Sequence, residues 1–256
     1  MFFERQLIFY PTKTGRWELE RLPRPAGAPA AVVEDVFFEA EDGVRLHGWY
    51  AADPATPTDR VLLYFHGNAG NLSDRWEFVL GLLTLPARVF IIDYRGYGRS
   101  EGSPSEEGLY EDADAAWRYL TLKRGHDPGD IVLFGKSLGG APATYLAAKV
   151  PAGGLIAQST FTSIPDVATY HFPIVPKFLI GTKMASIARI AKAKMPKLIV
   201  HSPADEVIPY ELGRRLYEAA AEPKQFYEVP GAGHNETALV GGAAYWNALR
   251  EFVRSL

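Results

Sequence analysis

The stretch Val132–Ala148, VLFGKSLGGAPATYLAA, decides how the rest of the chain is read. An apolar run leads into Gly135-Lys136-Ser137-Leu138-Gly139, and a small-residue segment of helical character follows. Glycine on both sides of a serine weakens strand and helix alike, so a turn built this way needs a reason. One reason is a loop serine that caps the next helix. The other is a sharp strand-to-helix turn that lifts the Ser137 hydroxyl over the end of a sheet, the setting in which Gly-x-Ser-x-Gly carries a nucleophile.

Outward from this turn, six apolar runs recur at 60–66, 88–93, 130–135, 154–159, 197–202 and 224–229. They are nearly continuous and rich in β-branched residues, as expected of parallel strands buried on both faces. Helical segments at about 71–84, 105–122, 138–149, 208–220 and 236–254 separate them. Ser103, Pro104 and Glu106 predict the start of the second as N-cap, first helical residue and capping-box partner. Upstream, VEDVFFEA and VRLHGWYA are joined by Glu41-Asp42-Gly43, which predicts a hairpin. The sum is an α/β fold: a mostly parallel eight-stranded sheet with helices on both faces.

Residues 1–256 are expected to form a single domain, its rhythm broken by an insertion at about 161–196. There Ile180, Met184, Ile187 and Ala191 recur at helical spacing and predict one apolar face, with Arg189 and Lys192 away from it. Six basic residues and no acidic one lie between Lys177 and Lys197. Either a small lid packs on the core with a solvated basic back, or the lysines meet an anionic lipid surface or a CoA phosphate. The first reading is favoured.

Composition narrows the function classes. The 256-residue chain is 47% hydrophobic and 22% charged with a net charge of −3, ordinary for a globular protein and without general attraction to nucleic acid. It has no cysteine, which excludes disulfides, thiolate metal sites and a cysteine nucleophile. No His/Asp/Glu cluster has metal-ligand spacing, so neither metal nor other cofactor is expected. No apolar run is long enough for a membrane span, and the opening MFFERQLIFYP is broken by Glu4, Arg5 and Gln6. A soluble, cytoplasmic chain is expected, with membrane association as the alternative.

A nucleophilic serine needs a base and the base needs an orienting acid. Of the six histidines, His47 lies in the hairpin, His126 on a polar loop, His171 in the insertion, and His66 and His201 at strand ends. His234 alone follows the last strand in a glycine loop, VPGAGHNE, that can reach back across the sheet. Asp205 stands just past the penultimate strand in HSPADEVIP, with Glu206 its nearest competitor. Both Asp205 and His234 can also be read as helix caps. Ser137, Asp205 and His234 follow the chain order of a hydrolase triad. FHGNAGNLSDR follows the first parallel strand and offers the backbone N–H of Asn68, with Ala69 in reserve, to complete an oxyanion hole with Leu138. Each such donor is typically worth about 3–4 kcal/mol in the transition state.

These motifs, with DYRGYGRSEGSPSEEGLYEDADAAWRYL, STFTSIPD and GAGHN, resemble the α/β-hydrolase superfamily of serine hydrolases. The resemblance is to its small-lidded α/β-hydrolase-domain-containing, serine-aminopeptidase-like branch, and it runs from about Val33 to the C-terminus. It implies the α/β-hydrolase fold and hydrolysis of small-molecule acyl esters, and the favoured reading of the insertion as a plain lid goes with acyl groups of short to medium chain length. Acyl-protein or acyl-CoA thioesterase, amidase or aminopeptidase activity, and a catalytically silent binding scaffold are the alternatives. In DYRGYGRS the resemblance implies a structural role, with Asp93 and Arg95 expected to pair beside the turn. Many relatives carry an amino-terminal membrane helix before their FYP segment; here FFERQLI precedes it, so the resemblance does not carry anchoring over.

Overall fold

Alternate side chains of a strand point to opposite faces, and in Val61–Phe65 both sets are apolar. Val61, Leu63 and Phe65 enter one core while Leu62 and Tyr64 enter the other, all five fully buried. Such a segment is stable only in mid-sheet with a layer on each side, where each large apolar side chain contributes about 1.5–3 kcal/mol. The computed structural model describes residues 2–256; Met1, the first residue of the apolar opening stretch, lies outside them.

Among the described residues, eight strands form this sheet: β1 (Val32–Glu39), β2 (Arg45–Ala52), β3 (Val61–Phe65), β4 (Arg88–Asp93), β5 (Ile131–Lys136), β6 (Gly154–Gln158), β7 (Lys197–His201) and β8 (Lys224–Glu228). Their spatial order is β8-β7-β6-β5-β3-β4-β2-β1, and only β2 runs antiparallel to its neighbours. The helices are α1 (Phe2–Ile8), α2 (Trp76–Leu82), α3 (Glu106–Arg118), α4 (Gly140–Ala147), α5 (Ile164–His171), α6 (Ser186–Ile190), α7 (Tyr210–Ala219) and α8 (Thr237–Ser255), the last interrupted at Gly242. Apolar residues of α3, α4 and α7 cover one face and those of α2 and α8 the other. Of these helices, none is long and apolar enough to cross a membrane.

Four expectations need correction. Helix α3 starts two residues late: Ser105, not Ser103, is its N-cap and accepts from the Gly108 amide at 3.0 Å. Glu106 closes no capping box, because its carboxylate accepts from the Lys183 and Met184 amides of the insertion at 2.6 and 2.7 Å. Strand β8 is an edge strand with exposed Gln225 and Glu228, since no further strand covers it. The insertion is not helical from Ile180 to Ala191. It holds α5 and α6 with turns and a 3-10 helix (Lys177–Leu179) between, and near Gly181 the pull of Glu106 and Met184 at φ +41° keep the backbone out of an α-helix. Ala191 is exposed and Ile190 takes the buried place.

The fourth correction concerns Asp93 and Arg95, which do not pair. Arg95, itself buried, pairs instead with Asp112 and Asp42, each at 2.8 Å, and with Glu111 at 2.9 Å. Asp93 has other partners. It accepts from the Leu72 amide at 2.8 Å and lies 3.5 Å from His47 Nδ1 and 3.4 Å from His66 Nε2, fully buried. A Cβ on Gly98 would come within 1.9 Å of this carboxylate, so the turn that encloses it requires glycine there.

Burial alone would raise the pKa of Asp93, but the two imidazoles and the Leu72 amide outweigh it and hold the group below 3.8. Its contribution to stability is therefore complete above pH 3.8 and is lost as pH falls through the lower folded-state value. Asp93→Asn is expected to cost about 2–3 kcal/mol in urea melts at pH 7. The gap to wild type should narrow toward pH 3; a gap that stays constant would show that Asp93 is not held ionised by its neighbours.

Candidate active site

Strand β5 ends in a turn so tight that Ser137 adopts φ +53°, a left-handed backbone that typically costs a residue other than glycine about 1–3 kcal/mol. The surrounding glycines permit it. A Cβ on Gly139 would lie 2.0 Å from the Phe65 carbonyl oxygen, and one on Gly135 would lie 2.4 Å from the Gly139 carbonyl oxygen. Strand, turn and helix α4 thus meet backbone to backbone. Thr160, just past β6, donates its hydroxyl to the Ser137 carbonyl at 2.7 Å and fixes the turn from the side.

The loop after β8 brings His234 to this serine. Nε2 of His234 lies 2.9 Å from Ser137 Oγ, and Nδ1 lies 3.0 and 2.9 Å from the two carboxylate oxygens of Asp205. An ionised carboxylate only accepts, so Nδ1 carries the hydrogen and Nε2 is left to accept from the serine hydroxyl. All three residues are buried, the serine at 8% exposure. Burial raises the pKa of Asp205, but His234 and the Ile208 amide outweigh it and hold the carboxyl below its ordinary value. Its Oδ1 also accepts from the Val207 and Ile208 amides at 3.0 and 2.8 Å, which locks the rotamer.

Glu206, the competitor for the acid position, is turned away from the imidazole side chain. It accepts from the His234 backbone amide at 3.0 Å and so holds the histidine loop. His201 is buried against the loop that carries Asp205, bonded from Nε2 to the Ile208 carbonyl at 2.9 Å, and burial lowers its pKa.

The loop after β3 lies against the nucleophile: a Cβ on Gly67 would sit 3.6 Å from Ser137 Cβ. The Asn68 side chain points away, its amide nitrogen donating to the Ile8 carbonyl at 3.1 Å, while the Asn68 backbone carbonyl accepts from Tyr10 N at 3.2 Å and Tyr97 Oη at 2.7 Å. Asn68, Ala69 and Leu138 all line a cavity of about 920 Å³ that opens over Ser137 and His234. The insertion and the chain after Asp205 supply its apolar wall, including Phe161, Ile164, Val167, Val175, Leu179 and Ile208.

Ser137, Asp205 and His234 are thus brought into mutual contact, and Asn68 and Leu138 line the cavity beside them. Sequence reading missed Thr160, the clasp on Asn68 by Ile8, Tyr10 and Tyr97, and the backbone role of Glu206. Only Glu206 left a signal, a second carboxylate beside Asp205; the others act across contacts distant in sequence.

The sequence profile described as the alpha/beta hydrolase fold matches residues 60–183. An "uncharacterized protein" of Mycobacterium tuberculosis is 39% identical over 251 residues, spanning 98% of this chain and 87% of that protein. The alpha/beta hydrolase domain-containing protein WAV2 of Arabidopsis thaliana is 34% identical over 271 residues, again 98% and 87% of the two chains. In three dimensions the Pyrococcus furiosus esterase Pf2001 is similar with a TM-score of 0.77 at 19% identity, covering 97% of this chain and 98% of that one.

The close approach at Gly139 is open to a direct check. Gly139→Ala is expected to lose about 3 kcal/mol in thermal or urea melts, because the added methyl meets main chain that cannot move aside. An unchanged midpoint would mean that β3 and the turn are farther apart than described.

Proposed function

Because the chain belongs to the α/β hydrolase family, we propose that it is a serine hydrolase that cleaves carboxylic esters of short- to medium-chain acyl groups. The observation that carries this reading is the unbroken chain of contacts from Ser137 Oγ through His234 to Asp205, 2.9 Å at each end. A buried serine hydroxyl bonded to the free nitrogen of an oriented imidazole is poised to lose its proton as it attacks.

In the proposed reaction Ser137 Oγ bonds to the acyl carbon while His234 Nε2 takes the hydroxyl proton. The imidazolium that results is stabilised by Asp205 and passes the proton to the leaving oxygen as the ester C–O bond breaks. Water then attacks the acyl-enzyme, giving a proton to His234, which returns it to Ser137 as the acid leaves. The oxyanion formed in each half is assigned to the backbone amides of Asn68 and Leu138, with Ala69 next to them. The apolar wall of the cavity suits the acyl chain, since a chain seated there leaves water. No observation favours thioester or amide over ester.

Ser137→Ala is expected to abolish fluorophosphonate labelling and p-nitrophenyl ester turnover. Asp205→Asn should keep the fold and lose about 10⁴ in kcat, because the imidazole is then held in the wrong tautomer. Glu206→Gln should cost far less, since an amide oxygen still accepts from the His234 backbone. Full turnover by Ser137→Ala would sink the serine-hydrolase reading, and a silent Asp205→Asn beside a damaging Glu206→Gln would reassign the acid.

A further inference from the structure

The lining of the cavity divides by chemistry. Against the apolar wall of the insertion stand two cations, Arg75 and Lys136, on the side formed by the loop after β3 and the end of β5. Lys136 is the residue before Ser137. Arg75 donates to the Ala69 carbonyl and so is bound to the loop that carries Asn68. Both are half-buried, and among the described residues neither forms an ion pair with a carboxylate.

This is an expensive arrangement for a fold to keep. Lys136 lies with its ammonium 5.6 Å from the centre of the Phe78 ring, a modest compensation for lost water. Burial, with the charge of Arg75 added, pushes its pKa down to about 8, against a weaker upward pull from Asp205. Arg75 Nε is buried without a hydrogen-bond partner. Unpaired cations at a site of this kind point to a negative charge that arrives from outside. Glu4, the acidic residue that also lines the cavity, is already engaged by the Thr182 amide at 2.9 Å.

We propose that Arg75 and Lys136 form a subsite for an anionic group, a carboxylate or phosphate, carried by the leaving-group half of the ester. The proposal rests on the serine-hydrolase reading and narrows it. The acyl half is drawn to the apolar wall, which leaves the alcohol half to face the cations. There a guanidinium fork and an ammonium give two different donors to one anion, the first directional and the second a point charge. The anion would replace the water lost by Lys136 and balance the unpaired charge of the Arg75 guanidinium.

Butanoyl esters of ethanol, glycolate and 2-hydroxyethyl phosphate keep the acyl half constant and test the idea. Their kcat/KM values are to be compared in wild type, Arg75→Gln, Lys136→Gln and the charge-retaining Lys136→Arg, at low and high salt. Wild type is expected to favour an anionic ester over ethyl butanoate by about ten-fold or more, mainly through KM, and salt to weaken the preference. Each glutamine variant should lose most of that ratio and Lys136→Arg should keep it. Whichever anionic ester is preferred identifies the anion as carboxylate or phosphate. Fluorophosphonate labelling of Ser137 verifies that each variant is folded; if Lys136→Gln is not, Lys136→Met keeps the aliphatic stem on Phe78 and replaces it. Equal kcat/KM for the three esters in labelled wild-type protein, or a preference that survives in both Arg75→Gln and the neutral Lys136 variant, overturns the subsite. Wild type that neither labels nor turns over any ester overturns the hydrolase reading instead.

Discussion

A serine held in left-handed backbone is the constraint on which the rest of the architecture turns. The conformation at Ser137 persists because main chain packs directly on main chain around it, and that contact demands glycine at 135 and 139. Direct contact in turn requires β3 and β5 to be neighbours in register, Phe65 opposite Gly135. Two apolar layers press the strands together and supply the energy that offsets the local strain. Thr160, reaching across from the next strand, removes the remaining freedom of the turn.

On either side of this turn lies a buried carboxylate in company with imidazole. Asp205 orients His234, and Asp93 sits between His47 and His66 behind the loop that bears Asn68. Both carboxyl groups are held charged against the cost of burial, by different means: short hydrogen bonds at Asp205, and a backbone amide with two nearby rings at Asp93. One unit contacts the serine and the other stiffens the wall opposite it. Rigid walls on both sides let fixed dipoles act without reorganising, which is where catalytic electrostatics gain most.

The inner parallel strands were legible because each is a short apolar run whose burial leaves no choice of location. Ser137, Asp205 and His234 were legible for a related reason: each follows a recognisable strand, and strand ends converge at one edge of such a sheet. What sequence reading lost was the destination of side chains whose partners are far along the chain. Glu106 carries every local sign of a capping-box residue and is taken by amides at Lys183 and Met184. Arg95 and Asp93 are near in sequence and opposite in charge, but the strand ends between them and sends them to separate neighbourhoods. The basic run of the insertion read as one charged face. Lys177 instead pairs with Asp166, Arg189 stacks over Tyr110, and Lys197 is buried on the carbonyls of Ala193 and Met195.

The two stems of the insertion are stitched to each other, Ile164 N to the Lys183 carbonyl and Ile187 N to the Thr162 carbonyl, at 2.9 and 3.0 Å. Glu106 pins the same neck to α3. Beyond the neck, Ile174 and Phe178 project into solvent. A loop closed at its base contributes little to holding the sheet together, so its tip can lengthen, shorten or change composition while Ser137 stays where it is. The fold therefore behaves as a fixed reactor with an exchangeable cartridge, and descendants of such a chain can diverge in the molecules they accept long before they diverge in the reaction they perform.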